Sequence, residues 1–468
     1  MPSSFNYKPS LSGGSTQISS ALNITLSAAS NRIQSVAMTT ANKSVTMPSA
    51  TALTTGGQLF VIKNAGTSTF AVRNSTGVLL TALVPTQIAA FYLADNTSPA
   101  GVWAVGNESA SSFLGAIFGP IITLNAIAGS TDHSVTALSG TQAIIAWRGT
   151  SNYLETCVLN VNGTTLSTGP ILVAVSAAVT RISITGLSTT QAIVTYRDSA
   201  TNASTLTLNV SGNTITGGAV LQFSGAVISD AATSVTKLSS TQAIVVYLLS
   251  SNSYVQSCTL NISGTTVTAG AILAVNAVSS DYPDITGISS TQALAAWQGT
   301  SSYIQLCTLN VSATTVTAGA ILVVNAVASY YPALAGLSTT SAVLACSQSP
   351  LNLNVYALTI SGTTVTAGTA LTSLTSLQFA RIGFAATSST QATLVWVGKY
   401  NLLNTCNVTV SGATATAGTV SVISTPTTAS PMVEFPEITA LVNSSQLITS
   451  FYGGSGYLQA CTLEGIQT

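Results

Sequence analysis

An all-β chain is what the sequence predicts: a small N-terminal sandwich or barrel, then a closed ring of repeated four-stranded units. Three observations carry the prediction. The first is a repeat in which T-Q-A is followed, five residues after the Gln, by an aromatic: Gln142 with Trp147, Gln191 with Tyr196, Gln242 with Tyr247, Gln292 with Trp297 and Gln391 with Trp396. Two divergent copies, Ser341 with Cys346 and Gln446 with Phe451, complete a series of seven spaced 49, 51, 50, 49, 50 and 55 residues apart, which is the period of a propeller blade. The second is that each unit reads as four period-2 segments parted by turn residues. The third is the order of the segments. The fourth-strand marker, a Gly followed by a small residue and Ile or Val, occurs seven times, at Gly119, Gly169, Gly218, Gly270, Gly319, Gly368 and Gly418; its first copy precedes every other strand, and the last unit stops after its third. These counts match only if the early strand completes the last unit. The expectation is a seven-bladed β-propeller closed by an N-terminal D strand, an arrangement that removes free edges.

The elements follow in chain order. Residues 1–20 (MPSSFNYKPSLSGGSTQISS) have neither a charged leader nor an apolar stretch and read as a flexible polar arm, not a signal peptide. Residues 21–108 fall outside the repeat and hold short alternating runs at 44–48, 58–66, 69–77, 87–95 and 101–106, the pattern of a small all-β domain. NESASS (107–112) reads as a linker, and the propeller is expected over 112–468. In its fourth copy strands A to D are DITGIS (284–289), QALAAW (292–297), YIQLCTLNV (303–311) and VTAGAILVVN (316–325). Ser-Gly or Asn-Gly pairs after strand C supply the positive φ of a tight hairpin. Cys157, Cys258, Cys307, Cys406 and Cys461 share one C-strand position; the unit with Cys346 at the aromatic position has Tyr356 at the cysteine position. That swap predicts that the two side chains fill one pocket between blades. Tyr153, Tyr254, Tyr303 and Tyr457, also recurrent, read as packing residues.

Composition excludes several functions. Only 5% of the 468 residues are charged and mean hydropathy is +0.52, yet Ser, Thr, Asn and Gly interrupt every apolar run well short of the ~18 residues of a spanning helix. Membrane insertion and nucleic-acid binding are not expected, since no basic tract exists. The zero net charge conceals two modules: residues 1–107 carry Lys8, Arg32, Lys43, Lys63 and Arg73 against Asp95, or +4, and the rest carries six basic and ten acidic groups, or −4. Scattered cysteines and the single histidine, His133, offer no metal-ligand spacing, and no cofactor motif is present, so neither a metal nor a cofactor is expected.

The stretch VTMPSATALTTGGQLFVIKNAG (45–66), with AGVW at 100–103, resembles the small β-domains of tailed-phage virion proteins, found in tail fibres, head fibres and capsid decorations. The L-S-x-T-Q-A-[IL]-x-x-[WY] … C-T-L-N-[VI]-S-G-T-T-V-T-A-G unit resembles propeller repeats of bacterial and phage surface proteins. The resemblance implies a structural protein on the particle exterior. It would dock on capsid, collar or tail proteins through residues 1–108, form a homo-oligomer such as a fibre-like trimer, and display the ring outward toward a host-surface glycan.

Candidate binding residues come from the D–A loops. Ten positions before each repeat Gln (eleven in the last) stand Asp132, Arg181, Ala232, Tyr282, Tyr331, Arg381 and Phe435, and Pro follows all three aromatics. Varied residues on a repeating frame, with aromatic faces beside Arg and carboxylate, suit a saccharide; the bland reading is that they plug the channel. The B–C loops add Arg148, Arg197, Asp198, Lys399 and Tyr400. His133 reads as an exposed loop residue. An enzyme is not expected, although Asp281 with Asp284, or Glu434 with Glu437, could form the carboxylate pair of a polysaccharide-degrading enzyme. The other alternative to the virion reading is a bacterial surface or secreted lectin-like propeller.

Overall fold

The computed structural model describes residues 15–30, 33–40, 43–53, 59–85, 88–108, 117–125, 132–348, 352–374, 377–398, 402–418, 420–423, 434–444, 446–452 and 457–464. Among these, helix is confined to three single 3-10 turns, Ala50–Ala52, Thr150–Asn152 and Thr300–Ser302. The chain divides into two compact units, Met1–Leu114 and Gly115–Gln467.

In the first unit the chain alternates between two sheets. Ser15–Ser20, Ile33–Met38 and Leu59–Asn64 pair in parallel in one sheet, and Ile24–Thr25, Ser44–Thr46 and Phe70–Arg73 in the other. Antiparallel strands then finish each sheet: Ile88–Asp95 and Val102–Glu108 in the first, Leu79–Leu83 in the second. Inward residues of both sheets, among them Val36, Val45, Phe60, Phe70, Phe91 and Trp103, form one core. Two boundaries differ from expectation. Residues 15–20 are a strand, not part of a flexible arm; backbone pairing to Ile33–Met38 supplies what STQISS, with one Ile, lacks in apolar signal. Strand Val102–Glu108 also runs into the expected linker.

The second unit is a seven-bladed β-propeller. Its seven sheets each have antiparallel A–B–C–D order. The B strands begin on the repeat position, as in Gln142–Arg148, Gln292–Gln298 and Gln446–Tyr452. They do not alternate: five of seven residues in Gln142–Arg148 are buried in succession, because a blade is covered by a neighbour on each side. A strand buried on both faces reads as a continuous apolar run, which is why QAIIAW and QALAAW depart from period 2. The D strands differ too. Each is broken in two, as Thr315–Ala318 and Leu322–Val323 in the fourth blade. The break follows the marker glycine, where a Cβ would run into the carbonyl of the next blade's C–D turn: Thr164 for Gly119, Thr265 for Gly218, Thr314 for Gly270, Thr363 for Gly319.

Ring closure is as expected. Ile117–Phe118 and Ile122–Asn125 pair antiparallel with the final strand, Leu458–Glu464. Seven hydrophobic clusters lie one at each junction, and each draws on two adjacent blades. The junction that shuts the ring joins Trp147 and Cys157 to Ile448, Tyr452 and Ala460. Every repeat cysteine shares a cluster with the aromatic of its own blade, and Cys346 shares one with Tyr356. All six cysteines are free and buried.

Polar contacts repeat with the same logic. Each Gln side chain, at the start of a B strand, donates to Asn on its own C strand and to a hairpin carbonyl of the next blade. Gln142 reaches Asn160 Oδ1 and Gly212 O, both at 3.0 Å; Gln292 reaches Asn310 Oδ1 and Gly362 O, both at 2.8 Å. Nearer the axis, A-strand threonines accept from the next blade's backbone: Gly186 N donates to Thr136 Oγ1 and Gly287 N to Thr236 Oγ1, each at 2.9 Å.

Candidate functional site

The A strands surround a channel that holds a cavity of about 280 Å³ lined from all seven blades. Strand alternation sends every second A-strand residue to the channel, so its wall is built in tiers. The upper tier contains the sequence-derived candidates; two residues further along each strand stand Ser134, Ser183, Ser234, Asp284, Ala333, Gly383 and Glu437, all of which line the cavity.

Three of the upper-tier candidates have unusual backbones. Arg181, Tyr282 and Tyr331 lie at φ 55°, 50° and 52°. Each is the first of two A-strand residues that face a single B-strand residue, because the ladder skips from Thr180 to Ser183, from Asp281 to Asp284 and from Tyr330 to Ala333. These are β-bulges, which re-aim side chains. A non-glycine residue in the left-handed region costs ~1–2 kcal/mol, and such strain gathers at functional sites. The expectation of simple D–A loops is therefore corrected: the positions belong to the A strands. Phe435 occupies the same bulge position in the last blade, where the ladder skips from Glu434 to Glu437. The side chains of Phe435, Arg381 and Ala232 lie outside the described residues.

Tyr282 and Tyr331 come together. Their ring centroids are 4.2 Å apart with 40° between the planes, and Tyr331 Oη donates to Tyr282 Oη at 3.4 Å. Pro283 and Pro332 line the cavity beside them. On the arc formed by the first two blades, Asp132 is 6% exposed and faces two guanidiniums, Arg148 Nη1 at 3.7 Å and Arg181 Nη1 at 3.8 Å.

The carboxylate candidates separate. Asp284 lines the channel and spans three blades: Ser234 Oγ donates to its Oδ1 at 2.9 Å and Leu334 N to its Oδ2 at 2.8 Å. Burial pushes its carboxyl above the usual range, against the pull of those hydrogen bonds. Asp281 is exposed, and partial burial raises its carboxyl as well. Glu437 lines the channel, while the Glu434 side chain lies outside the described residues. His133 is not the exposed loop residue expected: it is 5% exposed, starts an A strand opposite Trp147, and meets Tyr452 edge-on with centroids 5.3 Å apart. Of the B–C residues, Asp198 closes its own loop by accepting from Asn202 N and Ser204 Oγ, and Arg197 Nε donates to Ile228 O at 3.3 Å. Lys399 and Tyr400 lie outside the described residues. The lower tier escaped sequence reasoning, although reading two positions on from each candidate would have found it. Among the described residues no group of three or more His, Cys, Asp or Glu is placed to hold a metal ion.

No family model matches the chain, and no curated protein matches it. Solved structures do. The β-propeller domain of Cps50 (Swd1) from Myceliophteria thermophila superposes with a TM-score of 0.50 at 9% identity, covering 75% of this chain and 100% of that one. The six-bladed fucose-recognising lectin of Aleuria aurantia gives 0.40 at 15% identity over 64% and 97%. AofleA of Arthrobotrys oligospora gives 0.42 at 8% identity over 68% and 92%. At these identities the first likeness concerns the propeller fold alone.

Proposed function

We propose that this chain is a carbohydrate-binding propeller, a lectin-like surface or secreted protein whose saccharide site is the upper tier of the channel. The observation that carries the reading is the Tyr282–Tyr331 pair, held on two left-handed bulges. Aromatic faces pack against the apolar face of a pyranose, and neighbouring hydroxyls and charges take its polar edge. Rigid side chains on rigid strands lose little freedom on binding. A mere channel plug needs bulk, and has no use for backbone strain repeated in several blades beside a buried ion cluster.

Binding rather than turnover fits the carboxylates: Asp284 is engaged in joining blades, and its partner in sequence, Asp281, is exposed. The virion resemblance of residues 45–66 and 100–103 gains nothing from the comparisons, and the glycan-binding reading does not depend on it. The test is a glycan array probed with the full chain and with the Tyr282→Ala/Tyr331→Ala double variant. Binding by the parent that falls at least tenfold in a still-folded variant is expected; a parent that binds no glycan, or a variant that binds equally well, defeats the reading.

A further inference from the structure

The charges around the channel are sorted by depth. At the upper tier Asp132 is set between Arg148 and Arg181, two cations to one anion, so this cluster carries one net positive charge. Arg181 lines the cavity at the tier of Tyr282 and Tyr331, and shares their bulged backbone. One tier deeper the charged positions are both acidic, Asp284 and Glu437. An anionic group entering the channel is drawn to the rim on the side of the first two blades and repelled from the tier below. A hydroxyl-bearing edge meets acceptors there instead.

We infer that the channel selects an acidic saccharide, a sugar bearing a carboxylate, and seats that carboxylate at the Arg181–Asp132–Arg148 cluster while the ring packs on Tyr282 and Tyr331. The inference rests on the glycan-binding reading and adds the ligand's charge and its orientation. Arg is suited to the task because its planar fork matches a carboxylate and keeps its charge at every relevant pH. In a confined channel such a pair is screened less than one at an open surface.

The experiment compares glycan pairs that differ only at the carboxyl: uronate- and sialate-bearing oligosaccharides against their carboxyl-reduced, neutral counterparts, each titrated against the full chain. The acidic member is expected to bind about tenfold more tightly, roughly the share of one charge-assisted contact, and the gap should narrow in high salt. Arg181→Gln should erase the preference and leave the neutral member's affinity unchanged; Arg181→Lys should restore part of it. Arg197→Gln, outside the cavity lining, should change nothing. Equal binding within pairs, or a preference for the neutral member, overturns the inference while the glycan-binding reading stands. Absence of binding to either member overturns both.

Discussion

Gln446, which opens the B strand of the last blade, donates from Nε2 to the carbonyl of Gly163 in the first blade at 2.8 Å, across 283 residues of sequence. It is the contact that Gln142 makes to Gly212 and Gln292 to Gly362, here used to close the ring. Gln446→Ala is expected to lower stability by about 1 kcal/mol, the net value of one such bond, read from urea denaturation. Removing residues 1–125 is expected to do far more, because it leaves Leu458–Glu464 with an unpaired edge. Loss of a single cooperative melt is the readout; a normal melt would refute the closure.

The D-strand glycines answer to space, not to turn conformation. A Cβ on Gly270 meets the Thr314 carbonyl and Thr259 Oγ1, whereas one on Gly225 meets nothing within 4 Å. Gly270→Ala is expected to cost about 1–3 kcal/mol as overpacking against backbone. Gly225→Ala is expected to be neutral or slightly stabilising through the unfolded chain. Thermal melts of the two variants check the difference, and equal effects would contradict it.

Burial pushes the thiols of Cys157, Cys258, Cys307, Cys346, Cys406 and Cys461 up to about 12. They should be silent to Ellman's reagent at neutral pH until the chain is denatured, and then all six should react. The linkage has a definite sign. The folded state holds these protons more tightly than the unfolded chain, where a thiol titrates near ~8.5. Their contribution is therefore complete below that pH and is lost progressively as pH rises toward 12. Denaturation midpoints should fall across that alkaline window.

Asp284 stands where three other blades have serine: Ser134 Oγ accepts from Ile184 N at 3.4 Å and Ser183 Oγ from Val235 N at 3.1 Å, as Asp284 Oδ2 accepts from Leu334 N. Asp284→Ser should therefore stay within about 1 kcal/mol of the parent. Asp284→Ala strands two donors and should cost roughly 1–3 kcal/mol. Chemical denaturation of both separates them, and equal losses would refute the bridging role.

Much of the ring could be read from the sequence because the repeat is physical. Each marker has one task in every blade: the Gln ties blades together, the Gly admits a carbonyl, and the aromatic and cysteine fill a common cluster. The exchange of Cys346 and Tyr356 is legible for the same reason, since both belong to one cluster. Less was legible in the site. Arg181, Tyr282 and Tyr331 stand out as variable positions, but nothing in R-I, Y-P or Y-P announces a left-handed bulge. The burial of His133 depends on Trp147 and Tyr452, the latter more than 300 residues away in sequence. In the N-terminal unit the parallel strand Ser15–Ser20 draws on backbone pairing that side-chain periodicity does not report.

Each hydrophobic cluster of the ring draws its members from two neighbouring blades. No blade therefore owns an interior. Excising one leaves two half-cores that no longer match, and a partial ring exposes an apolar sheet face at either end. Heat or denaturant should meet no fault line along which the ring could come apart piecemeal. The seven sheets should persist or dissolve as one body, with the last few residues of that body as necessary as the first.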